Sequence, residues 1–141
     1  MTPRVVKVKT GSAAEDKYSY SRVVAVDNLV FVSNTAGRNP DTNEIPEDIT
    51  EQTLQVFANL ERGLSAVDCT LGDIVSIRVY VQNPQDGDAV GAVLAEKFRG
   101  IDPVCTMTCP PLGAPVYKVE IDVTAYRGVA NAQVEKIVLT R

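Results

Sequence analysis

Histidine is absent from all 141 residues. Without it, Ser-His and Cys-His nucleophile pairs and His-based metal sites cannot be built within one chain. Proton transfer falls to Asp, Glu, Tyr, Lys, Cys or water. Cysteine is scarce: Cys69, Cys105 and Cys109 only. An odd number without paired Cys-x-x-Cys units does not make a zinc site. No apolar run reaches membrane-spanning length, so no membrane partner is expected. Met1-Thr2-Pro3-Arg4 leads into no apolar h-region, so no signal peptide is expected and a reduced, cytoplasmic protein is. Positive charge is also short: 14 basic residues against 18 acidic give a net charge of −4. That argues against a nucleic-acid partner, whose affinity would rest on neutralising phosphates.

What is present suits one domain over residues 1–141. Hydrophobic residues make up 45% and charged residues 23%, enough for a single core with an ordinary surface. Short β-rich runs cover Arg4 to Lys9, Tyr20 to Val26 and Leu29 to Ser33. The last two flank Asp27-Asn28, a hairpin signal. Gly11 to Lys17 and Ala36 to Glu47 read as loops. A helix begins near Asp48 or Thr50 and runs to about Val67, with Phe57, Leu60, Leu64 and Val67 as its apolar stripe. Asp73 to Gln82 alternates, with Val75, Ile77, Val79 and Val81 facing one way. A second helix spans Asp88 to Phe98. Cys105 to Cys109 is a short strand, Val116 to Tyr126 a long one, and Val134 to Leu139 a candidate final strand. The expected fold class is α+β: a mixed six-stranded sheet with two helices packed on one face. The other face, expected to carry Tyr80, Cys105 and Met107, would need a partner to cover it.

Several side chains are candidates for chemistry. Glu120 and Asp122 alternate with Val119, Ile121 and Val123, so the carboxylates share a face. They are either a solvated surface pair or include a general base. Cys105, Met107 and Cys109 also alternate. They form an inert apolar strip or present a thiol, which would need a cation to lower its pKa. Tyr18, Tyr20 and Arg22 would share one side of a strand, as edge residues or as the lining of a small-anion site. Ser33-Asn34-Thr35-Ala36-Gly37 follows a strand and offers backbone N–H groups, without the pattern of a phosphate loop.

The ordered set of motifs resembles the RidA family, also called YjgF, over roughly Tyr18 to Arg127. It comprises Tyr20, Val30-Phe31-Val32-Ser33, Asn39-Pro40-Asp41-Thr42-x-x-Ile45-Pro46 and Glu51-Gln52-Thr53 with Asn59-Leu60. Leu71-x-Asp73-Ile74-Val75, Val79-Tyr80-Val81, Pro103-x-x-Thr106 and Val119-Glu120-Ile121-Asp122-Val123 complete it. The resemblance implies the chorismate-mutase-like RidA fold and a homotrimer with helices outside and a site in each cleft between subunits. It implies hydrolysis of reactive enamines and imines without a cofactor. In such enzymes an arginine clamps the substrate carboxylate, and water helped by a glutamate attacks the imine carbon. Tyr20, Ser33 and Glu120 match the family's site residues. Cys105 stands where the arginine is usual, Asn34 where a glycine is, Gly91 where an asparagine is frequent and Met107 where a cysteine is. Thr106 keeps the motif's hydroxyl.

The expected function is a RidA-like deaminase acting on an imine, enamine or related small metabolite, with altered specificity. Glu120 and Cys105 are its candidate catalytic residues, the latter as nucleophile or as pocket lining. Tyr20, Ser33, Asn34, Thr106 and Met107 would contact substrate. The alternative is a non-catalytic trimeric ligand-binding or regulatory protein. Ribonuclease activity ranks below both, given the missing histidine and the acidic balance.

Overall fold

A computed structural model describes residues 1–141. The elements run β1 (Val5–Val8), α1 (Ala13–Tyr18), β2 (Val23–Val26), β3 (Leu29–Ala36) and α2 (Ile49–Ser65). After them come β4 (Ile74–Val81), α3 (Gly87–Lys97), β5 (Val104–Thr108) and β6 (Val119–Tyr126). The six strands form one sheet in the order β1-β2-β3-β6-β4-β5. Every pairing is antiparallel except β4 with β5, so the sheet is mixed, as expected. The parallel pair follows from the α3 crossover, since parallel neighbours need a long connection.

Both long helices cover one face. A single apolar cluster joins Phe57, Leu60 and Leu64 of α2 and Val90 and Val93 of α3 to Val79, Ile121 and Val123 of the sheet. Phe57 meets Phe98 edge-on at 5.5 Å between ring centroids, tying α2 to the end of α3. Asp48 caps α2 by accepting from the Glu51 amide at 2.9 Å.

Five local expectations are corrected. Gly11 to Lys17 is largely helical, because Ser12 caps α1 and accepts from the Glu15 amide at 3.2 Å. Ser19 then turns left-handed, with φ of 59°, so Tyr18, Tyr20 and Arg22 do not lie along one strand. β3 continues beyond Ser33 to Ala36 through an irregularity in its pairing with β6. Val75 is exposed, because the β4–β6 register shifts between Ile74 and Ser76. Val134 to Leu139 forms no strand; its apolar side chains are solvent-exposed and no strand edge pairs with them.

Gln52 is fully buried and fixes the entry to β6. Its amide nitrogen donates to Pro46 O and Val116 O, and its oxygen accepts from the Lys118 and Val119 amides. The backbone near Gly37 presses against it. A Cβ at position 37 would lie 2.6 Å from Gln52 O. Replacing Gln52 with leucine strands buried backbone groups without partners, at a cost of about 2–5 kcal/mol. The melting temperature, read by circular dichroism at fixed protein concentration, should fall by roughly 10 °C. A shift within the noise of the wild type would contradict that role.

The other sheet face has no cover within the chain. Cross-strand rows on it read Phe31–Thr124–Ser76–Val104, Asp122–Arg78–Thr106 and Ala36–Glu120–Tyr80–Thr108. Leu29, Phe31, Val104 and Tyr126 are exposed there. β5 forms one edge of the sheet, exposed along its whole length. An open edge beside an apolar face is what a protein partner covers.

Candidate functional site

Glu120 sits near one end of the uncovered face, on the central strand β6. The pairing of β3 with β6 slips between Val32 and Thr35, which leaves Ser33 and Asn34 out of the ladder. A bulge of this kind re-aims side chains. Here it brings Asn34 Nδ2 to 2.7 Å from Glu120 Oε1. The Ser33 hydroxyl turns back and donates to Ser21 O at 2.7 Å, so only its acceptor capacity remains for a ligand. Arg22 donates to Asn34 O at 2.8 Å and to Thr35 Oγ1 at 3.3 Å, and its guanidinium lies 5.8 Å from the Tyr20 ring centroid. Tyr20, Arg22, Asn34 and Glu120 are thus linked, although three of them come from residues 20–34 and one from residue 120.

The two carboxylates of β6 differ in partners. Asp122 is held by Arg78 Nε at 3.2 Å and by the Tyr80 hydroxyl at 2.8 Å, which raises the Tyr80 pKa. Glu120 makes no ion pair. Burial pushes its pKa above the ordinary glutamate value, and the charge of Arg22 reverses only part of that. Desolvated, bonded to a neutral amide and free of a fixed counter-ion, Glu120 suits proton transfer better than Asp122 does.

Cys105, Thr106 and Met107 lie elsewhere. Cys105 pairs with Ile77 and Met107 with Val79, both buried under the helices, so register places these two on the helix side of the edge strand. That corrects the expectation that they share the uncovered face with Tyr80. Alternation shows which residues share a face but not which face it is. Thr106, opposite Arg78, is on the uncovered side. β4 separates Cys105 from Glu120, and the register puts them three rungs apart, about 14 Å by ordinary strand spacing. Partial desolvation raises the Cys105 thiol pKa, and no cation offsets it. A thiol nucleophile needs the opposite shift.

Sequence reasoning missed Asn59 and Glu15 as positioning groups. Asn59 Nδ2 donates to Ala36 O and Arg38 O, fixing the segment after β3. Glu15 is buried, and burial alone would push its carboxyl up. Hydrogen bonds from Thr10 and the nearby Arg22 more than reverse this, lowering its pKa. No group of acidic or thiol side chains could hold a metal ion. No helix is long and apolar enough to cross a membrane.

The comparisons with known proteins agree with this architecture. The family model described as Endoribonuclease L-PSP matches residues 10–127. A Dermatophagoides farinae protein named 2-iminobutanoate/2-iminopropanoate deaminase is 29% identical over 100 residues, covering 70% of this chain and 77% of its own. An uncharacterised Streptomyces coelicolor protein is 28% identical over 135 residues, 94% of this chain and 100% of that one. Among solved structures, a Mycobacterium tuberculosis member of the YjgF/YER057c/UK114 family superposes with a TM-score of 0.79 at 35% identity. It covers 87% of this chain and 99% of that one. This chain therefore belongs to the RidA/YjgF family.

Proposed function

We propose that the protein is a homotrimeric, cofactor-independent hydrolase of small imines or enamines, with Glu120 as the proton-transfer group. The observation that carries this reading is the state of Glu120: desolvated, without an ion pair, and hydrogen-bonded to Asn34 on the uncovered sheet face. The deaminase name of the Dermatophagoides farinae relative supports the substrate class.

In the proposed reaction, Glu120 takes a proton from water as the water oxygen bonds to the imine carbon. The C=N double bond opens to a carbinolamine. Glu120 returns that proton to nitrogen as the carbinolamine forms. It then carries the hydroxyl proton to nitrogen as the C–N bond breaks, so that a carbonyl compound and ammonia leave. A raised pKa lets one carboxyl serve both directions near neutral pH. Asn34 borders the carboxylate, Tyr20 stands behind Arg22 beside it, and both would orient water or substrate.

The Cys105 edge belongs to the same site only if another subunit supplies it. Exposed apolar residues on the uncovered face and the open edge of β5 support such an assembly. Cys105 would then line the cleft without attacking, and the substrate would lack the arginine clamp usual in the family. Thr106 and Met107 would complete that wall. RNA cleavage has less support, since the chain lacks histidine and is net acidic.

The test is hydrolysis of 2-imino acids released in solution by an amino-acid oxidase, followed as carbonyl product against the uncatalysed rate. Acceleration by the wild type that disappears in Glu120→Gln supports the reading. No acceleration across 2-imino acids and imines that lack a carboxylate would leave the non-catalytic binding protein as the better account.

A further inference from the structure

We propose a second small-molecule site, specific for small polyanions, in the groove between α1, α2 and the segment after β3. It does not rest on the imine reading, although Arg22 and Tyr20 belong to both places. The groove measures about 670 Å³, within the range of small-ligand sites. Four cationic side chains border it, Lys9, Arg22, Arg38 and Arg62, against two carboxylates, Glu15 and Asp41. That balance opposes the net charge of −4 on the whole chain.

The cations differ in how far they are already committed. Arg22 is paired with Glu15 at 3.8 Å and bonded to Asn34 O, so it acts as part of the wall. Arg38 is oriented by bonds to Asn43 O at 2.9 Å and the Tyr117 hydroxyl at 2.8 Å, and its guanidinium lies 5.9 Å from the Tyr117 ring centroid. A guanidinium fixed in this way loses little side-chain entropy when it takes a further acceptor. The Arg62 side chain is exposed and has neither an ion pair nor a hydrogen bond within the chain. Glu15 offers a ligand little repulsion, because Thr10 and Arg22 already occupy its oxygens. The hydroxyls of Ser12 and Tyr20 add neutral donors, whereas that of Thr10 is already given to Glu15. Cations spaced around a groove of this size fit a molecule with two or more acidic groups better than a single carboxylate. Phosphate esters and polycarboxylates share that chemistry.

Isothermal titration calorimetry of the full chain with pyrophosphate, and separately with citrate, in 0.15 M NaCl tests the site. At least one should bind with a dissociation constant below about 1 mM. Binding of pyrophosphate alone assigns the groove to phosphate groups, and binding of citrate extends it to polycarboxylates. Arg62→Gln breaks no side-chain hydrogen bond or ion pair and should weaken binding at least about fivefold. Lys136→Gln removes the same charge outside the groove and should bind like the wild type. No binding of either anion by the wild type overturns the proposal. So does an Arg62→Gln variant that binds as the wild type does, or a Lys136→Gln variant that loses as much.

Discussion

Replacing Cys105 with arginine is expected to raise kcat/KM for 2-iminopropanoate by about 30-fold to several thousandfold over the wild type. A bidentate guanidinium–carboxylate pair, once desolvated in a cleft, is worth about 2–5 kcal/mol, and each 1.4 kcal/mol is roughly tenfold in rate. The resemblance to RidA enzymes puts that guanidinium at position 105, where this chain has a thiol. The exchange is compatible with the fold. Position 105 is exposed on an edge strand, so a longer side chain displaces no core atoms. The gain should be selective. Imines without a carboxylate next to the reacting carbon should be turned over at the wild-type rate, because the new group has nothing to clamp. Cys105→Ala should change turnover little, since nothing lowers the thiol pKa. If Cys105→Arg leaves kcat/KM for the imino acid unchanged, position 105 does not face the substrate.

Glu120→Gln should lower kcat by about 10²- to 10⁴-fold, the usual worth of a positioned acid–base group. Its effect on stability should run the other way at neutral pH. The folded pKa of Glu120 lies above its unfolded value, so the folded state holds its proton more tightly. Stability tied to that proton is present below the unfolded pKa, near 4.3 for an ordinary glutamate, and is lost as pH rises through the higher folded value. At pH 7 the wild type therefore carries the cost of a desolvated carboxylate. Glutamine avoids that cost and can still accept from Asn34. Denaturant unfolding should show the variant to be the more stable at pH 7, with the gap closing below pH 4. The acid limb of the wild-type kcat/KM profile should fall at a pH above the ordinary glutamate pKa, since only the carboxylate can take the proton. A variant that is inactive but also destabilised at pH 7 would point to a structural role instead.

The elements legible in the sequence were those whose periodicity spans a whole segment. Val119, Ile121 and Val123 alternate over one long strand, and Phe57, Leu60 and Leu64 repeat at helical spacing; both patterns mark buried faces. Helix α1 has six residues and no apolar stripe, so only its cap could reveal it. The Ser12-x-x-Glu15 spacing is that signal, though Glu15 uses its carboxylate on Thr10 instead of the cap backbone. The slip at Ser33–Asn34 was out of reach, because a bulge is defined by the register of two strands and not by one strand's composition. The meeting of Asn34 with Glu120 spans 86 positions of sequence and depends on that slip. For the same reason alternation could group Cys105 with Met107 yet misplace them: the face was decided by pairing with Ile77 and Val79. The groove cations Arg38 and Arg62 lie on separate segments of the chain, and Asn59 brings those segments together by holding Ala36 O and Arg38 O.

The central claim is that Glu120 of one subunit works with position 105 of another. Mixed assembly tests it most directly. A double variant, Cys105→Arg with Glu120→Gln, should be inactive alone. Co-refolded with wild-type chains, its introduced guanidinium should face the Glu120 of a wild-type neighbour. The account predicts 2-iminopropanoate hydrolysis well above that of either parent, approaching the level of the Cys105→Arg single variant per competent site. Activity no greater than the wild-type share of the mixture, in assemblies shown by mass to contain both chains, would contradict it.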